Sequence, residues 1–91
     1  MEPYKVLEHL EGLARKLGVE VVYKKLGTDE FATGGGLCKV KGTYKVFLDR
    51  SEPIERCIQI LARALSSFDR DDVYVLPFVR EILERVQRPP E

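Results

Sequence analysis

Three consecutive glycines, Gly34, Gly35 and Gly36, are the most conspicuous local feature of the sequence. Because glycine has no side chain, the N–H groups of such a run can approach a phosphate or a carboxylate closely. Known phosphate loops carry GxxxxGK[ST] or GxGxxG and lead into a helix, whereas these glycines lead into a predicted strand. Two interpretations stay open: a loop or bulge before an edge strand, and a contact site for a ligand or partner.

The residues that follow the glycines could complete an anion site. Cys38, Lys39 and Lys41 come next in the chain, and cations beside a thiol activate it and attract anions. A small-ligand site would then consist of Gly34, Gly35, Gly36, Cys38, Lys39 and Lys41. A structural role is the alternative, because cysteine is among the most buried residue types and Cys38 shares its strand face with Val40.

Other side chains that could do chemistry lack partners at useful spacings. His9 is the single histidine, and metal binding or acid–base catalysis needs further ligands or a substrate-activating group. Asp29 and Glu30 do not form a calcium loop of the EF-hand type. Solvation and helix capping explain the acidic turn at residues 69–72. The sequence therefore predicts no catalytic residue, no metal and no cofactor, and an enzyme is not favoured.

The composition excludes several classes of protein. A chain of 91 residues suits one domain, 1–91. Fifteen basic and fifteen acidic side chains give a net charge of zero, which argues against a nucleic-acid partner. No apolar run reaches the roughly 18 residues of a membrane span, so no membrane partner is predicted. Cys38 and Cys57, without CxxC or zinc spacing, predict reduced thiols in a cytoplasmic protein, with Cys57 in the core.

The elements that must position these residues follow the hydrophobic pattern. Apolar residues three and four apart predict helices, and alternating or β-branched segments predict strands. On the central helix, Arg56, Gln59 and Arg63 lie away from the apolar stripe. The predicted elements, in order, are helix 2–18, strands 19–26, 37–41 and 44–49, helix 52–68 and a helix that begins at Pro77 and ends before Pro89.

This order predicts an α+β two-layer domain, α-β-β-β-α-α, with a small antiparallel meander packed against helices. Phe47 lies on the opposite strand face from Val46 and Leu48, which indicates that a helix or a partner subunit covers that face. The small core and two open sheet edges favour a homodimer. The predicted function is a non-catalytic domain that acts through protein contacts with a second copy or an unidentified protein; an anion-binding module at the glycines is the alternative.

Parts of the sequence also resemble known proteins. Residues 35–42, 45–49 and 60–65 look like small bacterial proteins of unassigned function, and residues 35–67 distantly resemble the core of minimal zincin metallopeptidases. Zincins place a helix and a short antiparallel sheet before a helix bearing HExxH. This chain has Arg-Ala-Leu-Ser-Ser at residues 63–67 instead. The resemblance therefore implies a zincin-like scaffold without zinc ligands and without proteolysis, which needs two histidines and a general base.

Overall fold

The computed structural model describes residues 2–25 and 35–87 of the chain. The predicted α+β class, the element order and a small sheet packed on helices are confirmed. The element boundaries lie within two residues of the predicted ones. The elements are α1 (Pro3–Lys16), β1 (Val19–Lys24), β2 (Gly35–Val40), β3 (Thr43–Asp49), α2 (Ile54–Ser66) and α3 (Pro77–Gln87).

The strand order of the sheet differs from the predicted meander. β3 is the central strand, with β1 parallel to it on one side and β2 antiparallel to it on the other. The prediction of a wholly antiparallel sheet with β1 beside β2 is therefore wrong. The physical reason is chain length: the residues between β1 and β2, 25–34, are enough to span two strand spacings of about 4.8 Å each.

A tight hairpin joins β2 to β3 through Lys41 and Gly42. Their φ angles are 50° and 84°, and positive φ at both central residues is the type I′ geometry that matches the twist of paired strands. The hairpin signal at Gly42-Thr43 predicts this turn one residue too late. Since the turn is two residues long, Val40 and Thr43 flank it and form the first pair of the ladder.

The hydrophobic core lies where the central strand meets the helices. Val46 and Leu48 of β3 are completely buried and belong to one cluster with Leu10 of α1 and Leu61 of α2. Cys57 of α2 is buried in the same cluster, as predicted. α1 and α2 both contact the sheet, whereas α3 contacts α1 and α2 and none of the three described strands.

The opposite face of β3 carries Phe47, which is half-buried. Lys24 of β1 places its Nζ 5.4 Å from the centroid of the Phe47 ring. The helices pack on the Val46 side, so in the described part of the chain a neighbouring strand, and not a helix, supplies this cover. Cover by a partner subunit stays a prediction.

The start of α2 is organised by a buried carboxylate. Asp49 is 7% exposed, and its Oδ1 accepts hydrogen bonds from the Ser51 N–H at 2.9 Å and the Ser51 hydroxyl at 2.7 Å. Ser51 suits an N-cap by sequence, but the N-cap residue of α2 is Pro53 and no side chain caps it. Ser51 instead satisfies Asp49, because a buried carboxylate needs donors.

The other end of α2 is closed by Arg70. Its Nη1 donates to the carbonyl oxygens of Leu65, Ser66 and Phe68 at 3.2, 3.0 and 3.0 Å. The last carbonyls of a helix have no partner within the helix, so a cation there supplies donors and favours the negative end of the dipole. The turn after α2, which the sequence marks as acidic, therefore also stabilises α2.

A side-chain hydrogen bond links α1 to β1. The Tyr23 hydroxyl donates to the carboxylate of Glu11. Burial of the phenol and this bond to Glu11 raise the pKa of Tyr23 well above its ordinary value. Tyr23 therefore keeps its proton, and the donor it offers to α1, throughout neutral and mildly alkaline pH.

Gly12 occupies the interior of α1, where glycine is unfavourable. A Cβ added at Gly12 would meet nothing nearer than Nη2 of Arg15, at 3.8 Å. We therefore expect Gly12→Ala to raise the free energy of unfolding by about 0.5–1 kcal/mol in urea denaturation followed by circular dichroism. Gly18→Ala is the matched control and should lower it, because the φ of Gly18 is 77°. A neutral or destabilising Gly12→Ala would contradict the prediction.

Candidate functional site

The glycines of the predicted ligand site belong to a strand as far as the structure describes them. Gly34 lies outside the described residues. Gly35 and Gly36 are the first residues of β2, paired with Leu48 and Phe47 of β3. Gly36 has a φ of 157°, and an added Cβ would meet no atom within 4 Å. Gly36 thus leaves open space beside β2.

The other predicted site residues point in different directions. Cys38 lies opposite Lys45, on the sheet face away from the helices. Lys39 lies on the helix side, where its Nζ is 5.2 Å from the centroid of the Tyr44 ring. Lys41 is in the hairpin turn. Cys38, Lys39 and Lys41 therefore do not converge on one point, and a site made of all these residues stays a prediction.

A cleft of about 320 Å³ lies between β2 and α2. Its apolar lining consists of Gly36 and Leu37 from β2 and Ile60 and Ala64 from α2; its polar lining consists of Arg56, Gln59 and Arg63. Of the predicted site residues, Gly36 is the one that lines this cleft. An apolar floor with a cationic rim suits a ligand that is partly apolar and carries negative charge.

The rim of the cleft is set by the helical repeat of α2. Arg56, Gln59, Ile60 and Arg63 are spaced i, i+3, i+4 and i+7, which places them on one side of the helix, facing β2. Nη1 of Arg56 donates to Oε1 of Gln59 at 3.2 Å. The sequence places Arg56 and Arg63 off the core stripe, and their seven-residue spacing is the sequence signal for this cleft.

The backbone of β2 also faces this cleft. β2 is an edge strand, and no other described strand pairs with its outer side. Val40 and Thr43 form the hydrogen-bonded pair next to the turn. In an antiparallel ladder, hydrogen-bonded and non-hydrogen-bonded pairs alternate, so Lys39 and Leu37 belong to non-hydrogen-bonded pairs. Their N–H and C=O groups therefore point away from β3. Main-chain donors and acceptors therefore border the cleft on its β2 side.

A second cleft, of about 530 Å³, lies between α1 and the segment before α3. His9 is exposed there, and its ring packs edge-on against Phe78 with 5.3 Å between centroids. Lys5 and Glu8 on the same rim form an exposed pair at 4.0 Å. Arg15 and Lys16 also line this cleft, so its charged lining is three basic side chains and one acidic side chain, which favours an anionic ligand.

Residues 63–67, where zincins carry HExxH, form the end of α2. Ser67 is the C-cap residue, and its hydroxyl donates to the carbonyl oxygen of Ala64 at 2.8 Å. Within residues 2–25 and 35–87, no three histidine, cysteine, aspartate or glutamate side chains are grouped so that they could hold a metal ion. None of the described helices is long and apolar enough to cross a membrane.

Comparison of this chain with protein-family models, with curated proteins and with solved structures found no match. The resemblance to zincins and to small bacterial proteins therefore stays a prediction.

The two thiols differ in their surroundings. Cys38 is half-buried, and Cys57 is 5% exposed with its Sγ 3.7 Å from the carbonyl oxygen of Asp49. Burial, and then the negative charges of Glu52 and Asp49, raise the pKa of the Cys57 thiol. A raised pKa leaves less thiolate at a given pH, so Cys57 is chemically protected.

We expect iodoacetamide at pH 8 to alkylate Cys38 in the native protein and to leave Cys57 unmodified for at least about ten times longer. Mass spectrometry of Cys38→Ser and Cys57→Ser variants assigns each rate, and 8 M urea should make the two rates similar. The Cys57 rate should keep rising above pH 9, where an ordinary thiol is largely ionised. Equal rates in the native protein at pH 8 would contradict this prediction.

Proposed function

We propose that this chain is a non-catalytic interaction domain that binds an extended segment of a partner protein as a further strand at β2. The observation that carries the proposal is a cleft beside an edge strand whose outer side pairs with no other described strand, with a helix as the second wall of the cleft. In strand addition, main-chain hydrogen bonds provide affinity and pockets for alternate side chains provide specificity. The two unpaired thiols fit a cytoplasmic location for such a domain.

We expect a strand added at β2 to lie along the cleft. Such a strand would lie about 4.8 Å from β2, and its alternate side chains would point towards α2. Leu37, which is 37% exposed, and the neighbouring Ile60 and Ala64 form an apolar floor for those side chains.

The expected affinity follows from what β2 offers. Leu37 and Lys39 supply two N–H and two C=O groups, each worth about 1 kcal/mol net when paired. These bonds sum to about 4 kcal/mol, which is no more than the roughly 4–15 kcal/mol lost in translational and rotational freedom on binding. Affinity therefore depends on covering the apolar floor, and we expect the weak binding that is typical of transient recognition.

Octapeptides that bind the wild-type protein are first selected from a random pool. We expect Lys39→Pro to abolish binding of these peptides and Lys39→Ala to retain it. Proline removes the outward N–H and leaves the β2–β3 pairs intact, whereas alanine removes only the side chain. Fluorescence anisotropy measures the affinities, and thermal melting confirms that both variants fold.

A second readout keeps this test informative if Lys39→Pro unfolds. In the wild-type protein, bound peptide should slow hydrogen exchange of the Leu37 and Lys39 amides, with little change at Val21 of β1. Failure of the wild-type protein to select any peptide, or unchanged exchange at both amides, would contradict strand addition.

Self-association is the second candidate, and the outer sheet face is the observation that favours it. Val22, Phe47 and Gly36 form an apolar row across the three strands on that face. Beside it, Lys45 and Glu20 form an ion pair at 3.0 Å, so the face carries both charges and is compatible with a second copy. Three strands about 20 Å long give a face of only about 300 Å², against about 800 Å² per partner in a stable interface.

We therefore expect a weak homodimer, monomeric at 5 µM and increasingly dimeric above about 100 µM in sedimentation equilibrium. Val22→Lys should keep the chain monomeric, because it places an unpaired charge in the apolar row. Tyr74→Ser is the control, since Tyr74 is 70% exposed and far along the chain from the sheet. A wild-type chain that stays monomeric at 500 µM would remove this candidate.

A further inference from the structure

We propose that the second cleft, between α1 and the segment before α3, binds a small aromatic anion, a molecule with a flat ring system and a negatively charged group. The cleft shares no lining residue with the β2–α2 cleft, so this inference is independent of strand addition at β2. Its volume of about 530 Å³ lies in the range that is typical of small-molecule sites.

One face of α1 forms a wall of the cleft, and Gly12 lies at the centre of that face. Glu8 and His9 lie one helical turn before Gly12, and Arg15 and Lys16 lie one turn after it. A Cβ added at Gly12 would lie 3.8 Å from Nη2 of Arg15, so a side chain at Gly12 would enter the space beside this guanidinium. The glycine weakens α1 but leaves a gap among charged side chains, and the ligand fills that gap.

The charged groups that line the cleft favour an anion. Nζ of Lys5 lies 4.0 Å from Oε2 of Glu8, so the acidic side chain of the lining has a basic partner. Arg15 and Lys16 are exposed, and within residues 2–25 and 35–87 neither forms an ion pair with a carboxylate. The lining therefore keeps two positive charges that no described carboxylate neutralises.

The charges beside the cleft leave this excess in place. Glu11 accepts the hydrogen bond from Tyr23 and does not line the cleft. Asp71 lines a neighbouring cleft together with Arg70, and Asp72 is not in the lining of either cleft. The negative end of α1 and the positive end of α3 both border the cleft, and each carries about half an elementary charge, so the two helix dipoles offset each other.

The opposite wall of the cleft is apolar and carries an exposed aromatic ring. Tyr74 is 70% exposed, and the nearly buried Val75 and Val79 continue this wall. An aromatic ligand can pack against the Tyr74 ring and cover the apolar surface beside it. A ligand that has both a flat ring and a negative charge therefore suits both walls of the cleft.

The test uses two fluorescent probes that differ by one charged group. Anilinonaphthalene sulfonate is an aromatic anion, and phenylnaphthylamine has the same rings without the sulfonate. We expect the folded wild-type protein to bind the sulfonate probe at least about fivefold more tightly in low salt, with a smaller difference in high salt. Equal affinities for the two probes in low salt would overturn the preference for an anion.

Variants of Gly12 assign the binding to this cleft. We expect Gly12→Leu to weaken binding of the sulfonate probe at least about tenfold, because the leucine side chain fills the gap in the cleft. Gly12→Ala is the matched control and should retain binding, because its Cβ makes only an ordinary contact with Arg15. Thermal melting verifies that both variants fold, as expected for residues that favour a helix. Unchanged binding by a folded Gly12→Leu would overturn the site.

A pair of double variants tests the source of the charge preference. Arg15→Gln combined with Lys16→Gln should make the affinities for the two probes alike. Arg63→Gln combined with Arg85→Gln is the charge-matched control, because these exposed side chains do not line the cleft, and it should keep the difference. A difference that survives in the first double variant, or is lost in the control, would contradict the assignment to Arg15 and Lys16.

Nuclear magnetic resonance of the wild-type protein gives a readout that needs no variant. Titration with naphthoate should shift the amide signals of Gly12 and Tyr74 and leave that of Leu37 in β2 unchanged. Shifts confined to other parts of the chain, or no shifts, would overturn the site. Decanoate, an aliphatic anion with the same carboxylate, tests the ring: if it shifts the same two amides at lower concentrations than naphthoate, the aromatic assignment is wrong.

Discussion

The position of β3 between β1 and β2 is the constraint on which the rest of the structure depends. β3 pairs with both other strands, and its Val46 and Leu48 are completely buried against the helices. A strand at the centre of a three-stranded sheet has both edges satisfied, so each outer strand keeps one edge unpaired within the described sheet. The insertion of β3 therefore turns β2 into an edge strand beside α2, which creates the β2–α2 cleft.

The hairpin turn and the packing of α2 then determine what this cleft presents. A two-residue turn at Lys41 and Gly42 fixes the register of β2 on β3, and that register decides which main-chain groups point outward. A one-residue slip would turn Leu37 away from the helices and exchange the inward and outward amides. Burial of Leu61 fixes the rotation of α2 about its own axis, so Arg56 and Arg63 face the edge strand. Core packing thus positions the charges of the rim.

Local patterns predicted the elements well, whereas pairings between distant residues were not predictable. The stripe through Leu61 and the alternation through Val46 are periodic signals within one segment, and they located α2 and β3 closely. The order of the strands depends on how residues 25–34 connect two of them, and no periodic pattern in the sequence indicates that order. Ser51 does not cap α2 because it donates its hydrogen bonds to Asp49 instead. The burial of Asp49 depends on tertiary packing, which the local sequence does not indicate. The cleft could not be predicted for a related reason. Arg56 and Arg63 of α2 line it only because Gly36, which belongs to β2, lies close to them in the folded chain.

Exposed edge strands promote aggregation, and lysine on an edge is one of the ways proteins prevent it. Lys39 and Lys41 lie on or beside the open side of β2, and the arginines of α2 add to the positive charge there. Pairing of two β2 strands from identical chains would bring all of these cations together. Positive charge along this edge therefore opposes pairing of β2 with the β2 of a second copy, so the unpaired side of the strand is a poor template for aggregation.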